Sequence, residues 1–208
     1  MGNVELLDGL NGVLTDPFNN ILMGVTAENV AQRYGISRED QDAIALESQR
    51  RAANAIVQGY FRDQIVPVEL ATRKGTTLFD TDEYVRTDAT LEDFIKLKPV
   101  FQRDGGTVTA GNSSGINDGA SAMVLASAEA VRRHGLTPLA RLVSYGHAGV
   151  DPAYMGIGPV PATRNALAKA GLTVADLDVI ESNEAFAAQA GAVTKELAFD
   201  PAKANPNG

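Results

Sequence analysis

Asn183-Glu-Ala-Phe186 stands where a short apolar run gives way to a helical pattern, the position at which open α/β sheets hold their ligands. Asn183 therefore reads as a site residue or as the cap of the helix that follows, and spacing alone does not decide between them. The two histidines are weaker candidates for a catalytic base. His134 falls at the C-terminus of an expected helix, where a cation offsets the helix dipole, and His147, in Tyr-Gly-His-Ala-Gly, reads as a loop or interface residue. Asp80, Asp82 and Glu83 cluster with no histidine or further ligand at metal spacing, so they read as a solvated loop and no metal is assigned. Cysteine is absent, which excludes disulfides, thiolate metal sites and a thiol nucleophile within these 208 residues.

The elements that would position these residues fall into two styles. Residues 26–34 predict a short helix with Thr26 as N-cap and Gly35 just past its end. Ser37-Arg-Glu-Asp40 opens a long helix with an acidic first turn, stopped by Gly59. From residue 65 to 111 the chain has Pro67, Pro99, scattered charges and only short apolar runs, which predicts brief strands joined by long loops, a pattern common in binding elements. Beyond the polar turn at 112–119, the apolar run 120–126 fits a buried strand or a buried helix by periodicity, and is read as a strand. Helices are expected at 127–134, 159–170 and 183–197, with strands at 139–146 and 177–181. Strands alternating with helices imply a βαβ arrangement and a mostly parallel sheet.

Composition narrows the function. A hydrophobic content of 44% fills a packed core, in one large domain or two small ones. A formal charge of −8 argues against nucleic acid or an anionic membrane as partner, because both attract basic surfaces. No apolar stretch is long enough to span a bilayer, and the first residues carry neither a basic region nor an apolar core of an export signal, so a cytoplasmic location is expected.

Six phrases carry a more specific signal. They are Met23-Gly-Val-Thr-Ala-Glu-Asn-Val30, Ser37-Arg-Glu-Asp-Gln-Asp-Ala43, Gly106-Thr-Val-Thr-Ala-Gly-Asn112, Gly115-Ile-Asn-Asp-Gly-Ala120, Gly156-Ile-Gly-Pro-Val-Pro161 and Asn183-Glu-Ala-Phe-Ala-Ala-Gln189. In order and spacing they resemble the thiolase family, above all its biosynthetic acetyl-CoA acetyltransferases. The resemblance runs the whole length of the chain and covers about half of such a subunit. It implies a partial thiolase-like α/β fold: a loop-rich α+β CoA-binding domain over residues 1–116, a returning strand and helix of the N-terminal thiolase domain over 117–137, and the start of the C-terminal thiolase domain over 138–208.

The resemblance further implies an acyltransferase that cleaves or condenses acyl-CoA through an acyl-cysteine, with CoA as substrate and no cofactor. In the family the nucleophilic Cys lies upstream of the segment matching Met1, and Gly-His-Pro and a second Cys lie beyond Asn205-Pro-Asn-Gly208. An inactive fragment with reading frame on both sides is therefore expected, its full-length parent a homotetramer. Carried over by position, Asn183 would hold the water of an oxyanion hole. Phe186 and Met155 would line the acyl and pantetheine end, although ordinary core packing explains them as well. Ser114 would hydrogen-bond the pantetheine arm between Ala110 and Phe101, with Leu14 and Met23 completing the substrate contacts. Arg86 would meet the nucleotide, since a guanidinium suits phosphate and stacks on adenine, yet without the family it reads as a solvated charge. Residues 70–103 hold six basic and six acidic side chains and so are locally neutral.

Two positions depart from the family: Leu22 replaces a His beside Met-Gly, which puts acyl-CoA preference in doubt, and Gly191 replaces a non-nucleophilic Cys. Two other classes stand as alternatives, a non-catalytic CoA-binding module and a thiolase-like lipid-transfer protein. The match through residues 156–161 and 183–189 disfavours the latter.

Overall fold

Ser37 accepts a hydrogen bond from Asp40 N–H while the Asp40 carboxylate accepts from Ser37 N–H, a reciprocal capping box that starts α3 (Arg38–Gln58). Gly59, at φ 70°, ends it in the left-handed conformation that favours glycine. Both ends of this helix are where the sequence puts them. The computed structural model describes residues 2–4 and 6–208. Among these, α1 (Gly9–Val13), α2 (Met23–Tyr34), α4 (Leu91–Ile95), α5 (Ala128–His134), α6 (Pro159–Ala170) and α7 (Ala187–Leu197) are the other helices. A hairpin of β1 (Val68–Thr72) and β2 (Gly75–Phe79) pairs antiparallel, every residue exposed.

The core is built around α7. Seven of its 11 residues are buried, which a helix apolar on most faces requires. It packs against α2, α3, α6 and the 3-10 turn Pro152–Ile157. Val30, Ile157, Val160, Val193 and Leu197 interlock there, and Ala27, Ala31, Val108 and Ala188 form a second cluster beside them. Gly191 lies where α7 meets Ile36 and Ile44, and a Cβ would come within 3.0 Å of Ile44, so the departure from Cys allows a close helix approach.

Several expected elements differ. Thr26 is not a cap: α2 starts three residues earlier, and Thr26 is a buried helical residue whose hydroxyl donates to Met23 O. The last helix starts at Ala187 rather than at residue 183. The expected strands at 120–126 and 139–146 form no ladder, and the run at 177–181 makes a single parallel bridge, Ile180 with Ala204. A strand is a property of a pair, and an apolar run supplies only one member. The carbonyls of Tyr145 and His147 are instead taken by Lys169 and Asn165 of α6. Among the described residues no helix is long and apolar enough to cross a membrane.

Candidate functional site

A buried carboxylate and two amides shape the turn that the sequence marks as polar. Glu28, on α2, accepts from Thr107 N–H, Thr107 Oγ1 and Val108 N–H at 2.8–3.0 Å. Asn112 accepts from Thr109 N–H at 2.7 Å and donates to Thr107 O and to Asp42 Oδ1 of α3. Gln41 of α3 donates to Thr107 Oγ1. Residues 107–112 are therefore held against both helices by buried side chains that bond the loop's backbone and the Thr107 hydroxyl, which is how a loop is fixed inside a protein.

The chain then runs antiparallel to the start of α7. Ser113 bridges Phe186, Ser114 N–H donates to Ala185 O at 3.0 Å, and Ala187 N–H donates to Asn112 O at 2.9 Å. Ala110 and Ser114, on either side of this turn, are both exposed. Phe186 meets Phe101 edge to face, with centroids 6.2 Å apart and planes at 81°. The Phe101 ring lies on Gly24, where a Cβ would fall 2.2 Å from it, so only glycine lets the aromatic pair sit there. Met23, next to Gly24, donates its N–H to Leu14 O at 2.9 Å. Backbone pairing thus links Leu14 to Met23 and Ser114 to Ala185, and ring packing links Phe101 to Gly24 and to Phe186.

Met155 and Arg86 stand on other segments. Met155 is half-exposed on the turn Pro152–Ile157, which Asn29 of α2 holds through Ala153 O. Arg86 donates its backbone N–H to Gln49 of α3 at 2.7 Å, and its guanidinium is exposed with no ion pair among the described residues. Its neighbour Val85 and Ser114 both line a cavity of about 250 Å³ between α3 and residues 111–117.

Asn183 is not the helix cap. Phe186 occupies that position, without a side-chain cap, and Asn183 stands three residues earlier, exposed and with no side-chain hydrogen bond among the described residues. It lines a second cleft of about 190 Å³ with Ser182, Glu184 and Asn205. Neither His134 nor His147 lines either cleft: His134 ends α5, as expected, and His147 packs its ring at a tilt 5.7 Å from Tyr145. Among the described residues no group of three or more His, Cys, Asp or Glu could hold a metal ion. Sequence reasoning missed Glu28, Asn112 and Asn205 as individual residues. The first two lay inside the quoted phrases, but their partners are up to 80 residues away and left no local signal.

Fold and site together define a mixed helix-and-strand protein with a cleft between α3, residues 111–117 and the start of a central helix. The thiolase N-terminal domain family matches residues 1–129 and the thiolase C-terminal domain family residues 136–208. The chain belongs to the thiolase family. It is 65% identical over 208 residues to the beta-ketothiolase BktB of Cupriavidus necator, covering all of this chain and 53% of that protein. It is 56% identical over 210 residues to an acetyl-CoA acetyltransferase of Chromobacterium violaceum, again covering 53% of the relative. Among solved structures, a Bacillus anthracis acetyl-CoA acetyltransferase superposes with a TM-score of 0.93 at 50% identity, covering 100% of this chain and 52% of that one. A human mitochondrial 3-ketoacyl-CoA thiolase in complex with CoA superposes at 0.92 with 48% identity, covering 100% and 51%. The chain spans about half the length of the relatives it matches. The partial thiolase fold expected from the sequence is thereby shown.

Proposed function

We propose that this chain is the CoA-binding part of an acetyl-CoA C-acetyltransferase. The reading is supported by the pairing of residues 112–114 with 185–187, which sets Ser113 across from Phe186 and ties Ser114 to Ala185, with Phe101 edge to face on Phe186. Pantetheine is a long, mostly apolar arm punctuated by amides. It suits an aromatic floor with a single hydroxyl at its edge. Arg86, free at the rim, is the group for the anionic nucleotide end. Ala110, Leu14, Met23 and Met155 would close the apolar walls around the thioester.

In the reaction a thiolate attacks the thioester carbonyl, CoA leaves as its thiol, and the deprotonated α-carbon of a second acyl-CoA then displaces the enzyme sulfur. This sequence holds no cysteine, so the thiolate comes from outside these 208 residues and the chain alone is expected to be inactive. Asn183 would hold the water that donates to the developing oxyanion. We take residues 1–116 as the CoA-binding domain, 117–137 as a return through the N-terminal thiolase domain and 138–208 as the start of the C-terminal one. A cytoplasmic, homotetrameric parent enzyme that needs no cofactor completes the proposal.

Titration calorimetry with CoA tests it. Arg86→Ala and Ser114→Ala are expected to weaken binding, and Arg50→Ala, on the exposed face of α3, to leave it unchanged. Equal effects from all three would place the site elsewhere. Turnover of acetoacetyl-CoA and CoA by the purified chain would overturn the assignment of the nucleophile.

A further inference from the structure

Asn205 is buried and holds a left-handed backbone angle, φ 45°. Around it, residues 203–205 run parallel to residue 180. Ile180 N–H donates to Lys203 O at 2.9 Å, and Asn205 N–H donates to Ile180 O at 2.8 Å. With its positive φ the backbone turns away here, and the side chain supplies the next rung. Oδ1 accepts from Ser182 N–H at 2.7 Å, Nδ2 donates to Ser182 O at 2.8 Å, and the second Nδ2 hydrogen reaches Glu184 Oε1 at 2.6 Å. A carboxamide presents one acceptor and paired donors, so it replaces a peptide group in the ladder and keeps a hydrogen to spare.

The segment behind Asn205 is itself anchored. Arg51 of α3 donates to the carbonyls of Ala204, Asn205 and Pro201 at 2.6–3.1 Å. Rigidity therefore passes from α3 to residues 201–205, and through one side chain to Ser182 and Glu184. Asn183 lies between those two held residues, and its own amide has no hydrogen bond among the described residues. We propose that Asn205 is a positioning residue whose carboxamide clamps Ser182 and Glu184 and so fixes the direction in which Asn183 presents its amide. The role rests on the reading of Asn183 as the holder of a catalytic water. A polar group aimed at such a water acts only if its support is stiff.

NMR spectroscopy of the 208-residue chain tests the clamp directly. In the unsubstituted chain the Ser182 amide proton is expected to exchange more slowly than that of Asn183. Asn205→Ala should speed Ser182 exchange on the order of tenfold, the scale of one hydrogen bond, and move the Asn183 side-chain signals while the Val108 and Val193 methyls stay in place. Should that variant not fold, Asn205→Asp carries the same test. It keeps the acceptor for Ser182 N–H, loses the donor to Ser182 O and sets a second carboxylate against Glu184. Adding Glu184→Gln supplies a donor to that carboxylate and is expected to return the Asn183 signals toward their original positions. An unmoved Asn183 amide, or no recovery in the double variant, overturns the clamp whatever CoA does. Absence of CoA-induced shifts at Ser114 and Arg86 in the unsubstituted chain would overturn the CoA reading and leave the clamp intact.

Discussion

Residues 187–197 and residues 120–126 have similar compositions, small and aliphatic side chains in close succession, and they end in opposite environments. In α7, Ala188 and Ala192 are fully buried and Val193 almost so. In the run 120–126, Met123, Val124 and Leu125 are each more than 80% exposed. The difference is in where backbone hydrogen bonds are found. A helix closes them within its own turns and needs neighbours only for its side chains, whereas an extended segment needs a neighbour for both. Helices α2, α3, α6 and α7 pack together through α7, and the runs 120–126, 139–146 and 177–181 find at most one bridge among the described residues.

The same substitution in the helical core that holds α7 and in the run 120–126 tests this contrast at its widest. Val30→Asp places a carboxylate at a position with no exposure, packed between α7 and the turn Pro152–Ile157, and is expected to cost upward of about 4 kcal/mol in urea unfolding. A loss below about 1 kcal/mol would mean that the helical core is not the stable part. Glu28→Gln comes next. It keeps one oxygen for Thr107 N–H and Val108 N–H but sets amide hydrogens against Thr107, whose N–H and hydroxyl donate to the other oxygen, and removes the charge, so it should cost about 2–3 kcal/mol by the same measurement. Gly24→Ala forces the Phe101 ring off α2, with an expected loss of about 1–3 kcal/mol and weaker CoA binding in calorimetry.

Ser37→Ala sharpens the comparison by touching a helix end without touching the core, for about 1 kcal/mol. The Ser37 hydroxyl, and then its backbone N–H, hold the Asp40 carboxyl below the ordinary aspartate range. Because the folded value lies below the unfolded one, this stabilisation is present above the unfolded value and is lost as pH falls through the folded value. The unsubstituted chain should therefore lose stability from about pH 4 downward, and Ser37→Ala should show a shallower acid limb in thermal unfolding. The smallest effect is expected from Val124→Asp, within about 0.5 kcal/mol, because that side chain leaves water nowhere. A large loss there would show that the run 120–126 is buried in solution.

The sequence alone determined whatever closes within a few residues. The Ser37 cap, the glycine stops after α2 and α3, and the full extent of α6 were legible because each rests on groups one helical turn apart. The order of motif phrases also carried the family, and with it the candidate site residues. Tertiary structure decided the rest. Asn183 reads as a cap or as a site residue until the start of α7 at Ala187 removes the first choice. The runs 120–126 and 139–146 read as strands, but pairing depends on a partner that no apolar pattern names. Glu28 and Asn205 looked like unremarkable polar residues, and their partners, 79 and 23 positions away, become neighbours only when the chain has folded. A hydrogen bond within one turn is set by the residues beside it, and one across the fold is set by every element that packs between its ends.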